Sequence, residues 1–398
     1  MSKTGLVLEG GGARGAYHLG AYKAMVELGI QIQGVTGSSA GALNGILIAQ
    51  GDWEKAYQMW ENLNLSSVVE VDERKIQEVM KLKLNSDQLS YMLTTTKKIW
   101  SDKGLDINPL KLLIADNLNT DGLRNSNLDF GLTTYNYTDK MAIEIFKEDM
   151  ADDEIPYYLI ASASLPIFKN EPFKDKIYLD GYFTDNLPIN MLLKKGYDNI
   201  IAVRTLRSDK LPAKLMQVDY DYQLEIIKPS QDLGGMMEFT AESISKSLKM
   251  GYFDAMRQLK KYRGRRYCIT QWPEALDYLP KVWALTDETV QQWASKLKLK
   301  QNKVPQRFLL EDLIPQIANL VGAAAQNDYM DILLYTLETL ALQAEIDPFK
   351  FYTFEDLKAE VLQQEAFIYD KLKRTFSLKA LFQDEKKHFD VFFEFIKL

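Results

Sequence analysis

The start of the chain switches between two hydrophobic periods. Leu6, Val7 and Leu8 are a short unbroken apolar run, which predicts a strand buried on both faces. From residue 15 to 28 the period lengthens: Tyr17, Ala21, Ala24, Met25 and Leu28 recur at helical spacing, with Lys23 and Glu27 on the other side. Gly29 closes that helix, Ile32 to Val35 supply a second strand, and Ala40 to Gln50 form a second, strongly apolar helix. Glycine turns join these elements. Gly10-Gly11-Gly12-Ala13-Arg14-Gly15 follows the first strand, and Gly37-Ser38-Ser39-Ala40-Gly41 follows the second.

Strands and helices continue to alternate further on. Residues 51–64 predict a helix packed by Trp53, Tyr57 and Trp60, and residues 70–117 a charged helical stretch in which Asn108-Pro109 is a sound helix start. The insertion, about 51–117, has two readings: a cover over one side of the site, or a surface subdomain with no substrate role. Strand character returns at 128–137 and 141–146, helix at 155–163, and strand at 176–180. Asn186-Leu187-Pro188 starts another helix, 199–204 is a buried strand, and 229–262 reads as mostly helical. Interleaving of this kind predicts an α/β fold.

Beyond residue 266 the pattern is helical throughout. Met330, Leu333, Leu334, Leu337, Leu340, Ala341 and Ala344 mark one amphipathic stripe, and Leu357, Val361, Ile368 and Leu372 another. The aromatic end, 389–398, is expected to dock on these helices. With 398 residues the chain exceeds one ordinary core. The expected division is 1–265 and 266–398, the second region all-α and of unassigned function, with an unidentified protein partner.

Composition removes several classes of function. At 46% hydrophobic and 26% charged residues the chain is globular. A net charge of −7 argues against a nucleic-acid binder, whose phosphate affinity comes from excess Lys and Arg. The single cysteine, Cys268, forms no internal disulfide and reads as a buried apolar residue. No apolar run approaches the ~18 residues of a membrane span, and Met-Ser-Lys-Thr leads directly into the first strand with no room for a signal peptide. The expectation is a cytoplasmic protein. The basic cluster Lys260, Lys261, Arg263, Arg265 and Arg266 reads either as peripheral contact with anionic headgroups or as a solvated helix end.

The second glycine turn carries the candidate chemistry. Gly37-x-Ser39-x-Gly41 fits G-x-S-x-G, a turn from strand to helix too sharp for side chains at its ends, which exposes Ser39 at an electropositive helix N-terminus. The first turn is open to more than one reading. Gly10-x-Gly12-x-x-Gly15 also matches a dinucleotide fingerprint, although the second strand lacks the ribose-binding acid, and Arg14-Gly15-Ala16 does not match a P-loop. Three consecutive glycines equally present bare N–H groups of the kind an oxyanion hole needs.

Together the two turns resemble the patatin-like phospholipase family, which adds an aspartate in a D-G-(G/A) motif. Asp180-Gly181-Tyr182 matches that third element, with Tyr182 in place of the commoner glycine, and Ala161-Ser162-Ala163-Ser164-Leu165-Pro166 resembles the family's preceding segment. The resemblance covers roughly residues 4–260, with the catalytic motifs within 9–186. It implies a three-layer α/β sandwich with a mostly parallel central sheet and helices on both faces. It also implies a lipid acyl hydrolase of the phospholipase A type, acting through a Ser39–Asp180 dyad and an acyl-enzyme, with no cofactor and no metal. The oxyanion donors would be Gly10, Gly11, Gly12 and Ala40, supported by Arg14, Gly15, Gly37, Gly41 and Gly181. Arg14 either orients the loop, meets a substrate phosphate or forms a structural ion pair. The expected substrate is a phospholipid or other lipid ester. Two other functions stand beside this one: dinucleotide binding at Gly10, Gly12 and Gly15, and a catalytically silent interaction protein.

Overall fold

The computed structural model describes residues 2–70, 104–169, 171–208, 211, 215–323, 328–376 and 379–398. The helical character expected between 71 and 103 lies outside the described residues. The chain divides into two compact units, Met1–Gln258 and Leu259–Leu398.

The first unit is built on a seven-stranded sheet: β1 (Thr4–Leu8), β2 (Gly34–Ser38), β3 (Asp129–Asn136), β4 (Met141–Phe146), β5 (Tyr178–Asp180), β6 (Asn199–Val203) and β7 (Gln223–Ile227). Its path is β4-β3-β2-β1-β6-β7, with β5 paired to β3. The pairings among β3, β2, β1, β6 and β7 are parallel, and β4 and β5 run antiparallel to β3. The mostly parallel sheet implied by the family resemblance is therefore present. Strand β7 was not among the expected elements; it is short, and its first four residues, Gln223-Leu224-Glu225-Ile226, are exposed or half-buried.

Both faces of the sheet are covered. Val7, Ile200 and Ala202 point to one face and pack with Ile189, Leu192 and Leu193 of α6 (Ile189–Lys194). Val35 points to the other face, where it meets Gly45 of α2 (Ala40–Ala49) beside Phe130. The remaining helices of this unit used below are α1 (Ala16–Glu27), α3 (Trp53–Asn62), α4 (Asn108–Asn117), α5 (Ile155–Ser162) and α7 (Ala241–Leu259). Helices α1 and α7 cross closely, and a Cβ on Gly20 would lie 2.9 Å from Tyr252 N. Helix α7 begins only at Ala241. The preceding stretch, expected to be helical, is interrupted by Gly234 with φ +84° followed by Gly235.

In the second unit α8 (Tyr329–Gln343), α9 (Phe354–Gln363) and α10 (Lys379–Ile396) share one core. Leu333, Leu337 and Leu340 meet Leu357 and Val361 there, and Phe392, Phe393 and Phe395 are buried in the same cluster. The unit is helical with one exception to the all-α expectation, a parallel ribbon of β8 (Cys268–Gln271) and β9 (Phe351–Thr353). Both strands are short aromatic or β-branched runs, which favour extended backbone. Buried Glu338 accepts from three successive N–H groups at the entry to β8, those of Arg265 at 2.8 Å, Arg266 at 2.9 Å and Tyr267 at 2.9 Å. Two arginines of the basic cluster are engaged within this unit. Arg263 pairs with Asp328 at 3.0 Å, and the Arg265 guanidinium lies 3.9 Å from the Tyr335 ring centre.

Candidate active site

The end of β2 runs directly into the start of α2, and Ser39 is the residue between them. Its backbone has φ 52° and ψ −127°, a strained conformation for a residue with a side chain. The two flanking glycines permit it. A Cβ on Gly37 would lie 2.7 Å from Ala42 N, and one on Gly41 would lie 2.8 Å from Leu8 C, so neither position admits a side chain. The Ser39 N–H donates to Ser162 Oγ at 3.0 Å, and Ser162 Oγ donates in turn to Thr133 O at 2.8 Å.

Asp180 reaches the serine through the sheet. Strand β4 occupies one edge of β3, so β2 and β5 share the other: β2 pairs as far as Ser38↔Thr133, and β5 begins at Asp180↔Thr134. The carboxylate-bearing strand therefore takes up the edge at the point where the serine-bearing strand leaves it. Gly181 makes that junction possible, since a Cβ there would lie 2.6 Å from Ser38 Oγ. The Asp180 N–H donates to Ser164 O at 2.9 Å. The segment around Ser162 and Ser164 thus grips the backbones of both Ser39 and Asp180.

Asp180 is completely buried. Burial pushes its carboxyl up to about 7, although the Tyr182 N–H and the Ser39 hydroxyl both favour the charged form. Oδ1 accepts from Tyr182 N at 2.8 Å. Oδ2 has no hydrogen bond of normal geometry, even though the Ser39 hydroxyl is near enough to influence the carboxyl. Long or misaligned contacts of this kind are usual before substrate arrives.

The glycine loop is held from three sides. Gly10 N–H donates to Asn186 O at 3.1 Å, and Asn186 Nδ2 donates back to Gly10 O at 3.3 Å. Thr205 Oγ1 donates to the same carbonyl at 2.7 Å. Beneath the loop, buried Glu9 pairs with Arg204 at 2.7 Å and accepts from Thr205 N at 2.7 Å. Above it, Ala13 N–H donates to Met236 O at 2.8 Å and Arg14 Nε to Gly234 O at 2.8 Å.

These contacts revise the expectation for Gly10. Gly10 uses its own N–H on Asn186, so it is not an available oxyanion donor; its lack of a side chain instead lets Asn186 Oδ1 and Ser39 Cβ pack against it. Among the described residues, Gly11 and Gly12 make no such backbone donation, and Ala40 is the first residue of α2, where an N–H has no acceptor within the helix. Arg14 fastens the loop to the 234–236 segment, and burial lowers its pKa against the pull of Asp232, Glu9 and Glu238. The loop is also poorly arranged for a pyrophosphate, because the N–H groups of Gly10, Ala13 and Arg14 already have protein acceptors.

Ser39 opens into a cavity of about 850 Å³, its mouth included. The walls are almost wholly apolar: Leu43, Ile46 and Leu47 from α2, Met59 and Trp60 from α3, Leu110, Leu113 and Ile114 from α4, and Leu159 from α5. Ala163, Leu165, Phe168, Met237 and Phe239 complete it, and the Phe239 ring stacks on Trp60 with centres 6.4 Å apart. Helix α4, within the expected insertion, therefore contributes to the site.

The two histidines are accounted for differently. His18 is fully buried, and burial pushes its pKa down to about 3 despite the nearby Glu9 carbonyl. His388 lies in the second unit, with Nδ1 3.7 Å from Glu385. Asp185 closes a turn: its Oδ1 accepts from Leu187 N at 3.1 Å, and burial raises its carboxyl to about 6.

The sequence model of the patatin-like phospholipase family matches residues 6–193, which contain the glycine loop, the serine turn and Asp180. Over this stretch the chain is similar to the patatin-like phospholipase family. The chain is 28% identical over 209 residues to "Lysophospholipase NTE1" of Scheffersomyces stipitis, covering 50% of this chain and 11% of that protein. It is 63% identical over 46 residues to "Neuropathy target esterase sws" of Drosophila grimshawi, covering 12% of this chain and 3% of that protein. The chain thus spans a small part of the length of the curated relatives it matches. Among solved structures, VipD from Legionella pneumophila is similar at a TM-score of 0.36 and 13% identity, over 100% of this chain and 92% of that one.

Residues outside the recognisable motifs also shape the site. Ser162, Asn186 and Met236 act on it through contacts with partners distant in sequence, and only Ser162 sits in a segment the family resemblance had marked.

Proposed function

We propose that the patatin-like unit is a serine-dependent lipid acyl hydrolase of the phospholipase A type. One observation carries the reading: a strained, helix-capping serine at the mouth of an apolar cavity stands beside a buried aspartate whose pKa is raised to about 7. An ordinary aspartate, at ~3.9, is too weak a base for a serine hydroxyl, and the shift brings it to the range where general bases work at neutral pH.

Ser39 Oγ attacks the ester carbonyl while Asp180 takes its proton. The oxyanion forms against the N–H groups of Gly11, Gly12 and Ala40 at the positive end of α2. Collapse of the tetrahedral intermediate breaks the ester bond, and Asp180 returns the proton to the departing alcohol. Water, deprotonated by Asp180, then attacks the acyl-enzyme; the bond from the acyl carbon to Ser39 Oγ breaks, Asp180 returns the proton to Oγ, and the fatty acid leaves. The acyl chain lies in the cavity, whose lining suits hydrocarbon and offers a headgroup few partners. These steps require no metal or cofactor. The family match and the names of the lysophospholipase and esterase relatives support the same substrate class.

The test is labelling with a fluorophosphonate probe mapped by mass spectrometry, followed by a panel of lipid esters. Modification at Ser39 with hydrolysis of at least one lipid ester is expected. An unmodified Ser39 in a folded protein would overturn the proposal.

A further inference from the structure

Asn44 stands on α2 one turn beyond the serine, and its buried side chain connects three elements. Oδ1 accepts from Trp60 Nε1 of α3 at 2.8 Å. Nδ2 donates to Gly15 O at 2.9 Å and lies 3.2 Å from His18 Nδ1 of α1. The orientation of the amide is unambiguous, since an indole N–H only donates and a carbonyl only accepts. It follows that His18 Nδ1 is the acceptor, and that the neutral ring carries its proton on Nε2. A histidine with its pKa lowered to about 3 keeps that state at any physiological pH.

Gly15 ends the short helical turn Gly12–Gly15 that carries part of the glycine loop. It also touches the nucleophile's helix directly, as a Cβ on Gly15 would lie 2.8 Å from Ala40 Cβ. The oxyanion donors thus come from two separate elements, the glycine loop and the start of α2. A single amide bonds the end of the loop to the helix that begins with Ala40.

We propose that Asn44, anchored by Trp60, is a positioning residue that sets the spacing between the glycine-loop donors and Ser39. The inference rests on the serine-hydrolase reading above. Its physical basis is the steep dependence of oxyanion stabilisation on donor distance, with useful donors ~2.7–3.1 Å from the developing charge. A misplacement of ~1 Å can lower turnover ~10²-fold. Trp60 gives the experiment its leverage, because it walls the cavity with its ring and holds Asn44 with its N–H.

Two variants separate those roles. Trp60→Phe keeps an aromatic wall and removes the N–H; Asn44→Asp keeps shape and the Oδ1 acceptor but turns an acceptor toward Gly15 O. Both are compared with wild type using two inhibitors of equal chain length, an alkyl trifluoromethyl ketone that adds to the serine as an oxyanion and a fatty alcohol that only fills the cavity. Expected for Trp60→Phe is a fall in kcat of about 10- to 100-fold, with ketone affinity falling about 10-fold or more relative to alcohol affinity. Asn44→Asp, where it folds, should give at least the same ratio. Equal loss of both inhibitors would mean that the pair only shapes the cavity, and unchanged kcat in Trp60→Phe would mean that the anchor is idle; either overturns the inference. Ser39→Ala is the control for the underlying reading. If it stays fully active, both proposals fall; if it is inactive while Trp60→Phe matches wild type, only this one does.

Discussion

Asp180 keeps one carboxylate oxygen on the Tyr182 N–H and leaves the other without a regular hydrogen bond beside the Ser39 hydroxyl, at full burial. A carboxyl in that setting controls both activity and stability through pH. With a free-enzyme pKa of about 7, kcat/KM should rise with pH to a plateau above an inflection near 7, because only the carboxylate can take the serine proton. Asp180→Asn should lose ~10²–10⁴-fold in turnover, the usual scale for removing a general base.

The same residue predicts a gain in stability. Between its unfolded pKa of ~3.9 and its folded pKa of about 7, the native state binds more protons than the unfolded one. Stability therefore falls as pH rises through that window and stays reduced above it. Asp180→Asn escapes the penalty and should be more stable than wild type at pH 8, by on the order of 2–4 kcal/mol, with little difference at pH 4. Thermal unfolding at the two pH values measures this. A variant less stable than wild type at pH 8 would contradict the assigned burial of charge.

Adjacent serines give a second test. Ser38 ends β2 fully buried, and its Oγ has no hydrogen-bond partner among the described residues. Ser38→Ala removes an unsatisfied buried hydroxyl and should leave stability equal or slightly higher, with turnover within a few-fold of wild type. Ser39→Ala should keep the fold and lower esterase turnover by roughly 10³-fold or more. Initial rates on a short-chain ester decide between them. A dead Ser38→Ala beside an active Ser39→Ala would put the nucleophile at the wrong serine.

What could be read in the sequence was what glycine encodes locally. Gly37 and Gly41 exist for a turn whose backbone leaves no room for a side chain, and Gly181 for a junction against Ser38, so each left a mark in the sequence. Strand β4 was legible to the residue because its β-branched and apolar residues, broken only by Glu144, are bounded at the start by a polar turn. The contacts that decide which N–H groups remain available carry no local pattern. Asn186 lies 176 positions from the Gly10 it grips, and nothing in its neighbours predicts which carbonyl it will meet. The stretch before α7 failed differently. Pro229 and the Gly234-Gly235 pair disfavour a helix there, and the Met236 and Gly234 carbonyls are drawn into bonds with Ala13 and Arg14 instead.

Gly12 tests the loop itself. Its φ of +58° already disfavours any side chain, and a Cβ would run into Met236 O, the acceptor of the Ala13 N–H. Gly12→Ala should therefore displace the loop and cost about 10²–10³-fold in turnover, the scale of one lost oxyanion donor. Far-ultraviolet circular dichroism should stay unchanged. Near-normal hydrolysis would remove this loop from the oxyanion site.

The last test separates a dyad from a triad. His18 is the histidine in the same unit as Ser39, and a buried imidazole near a nucleophile invites the role of general base. Its environment argues otherwise. Nδ1 already accepts from Asn44 Nδ2 at 3.2 Å, and burial holds the pKa near 3, far below what proton shuttling at neutral pH requires. What His18 supplies is an acceptor at one position, and the Oδ1 of an asparagine falls close to where Nδ1 was. His18→Asn combined with His388→Asn should thus retain most of the esterase activity, and the acid limb near pH 7 should persist because it belongs to Asp180. Kinetics across pH 5–9 on the double variant checks both statements at once. Loss of activity in a correctly folded His18→Asn, together with loss of that limb, would transfer the base from Asp180 to the imidazole.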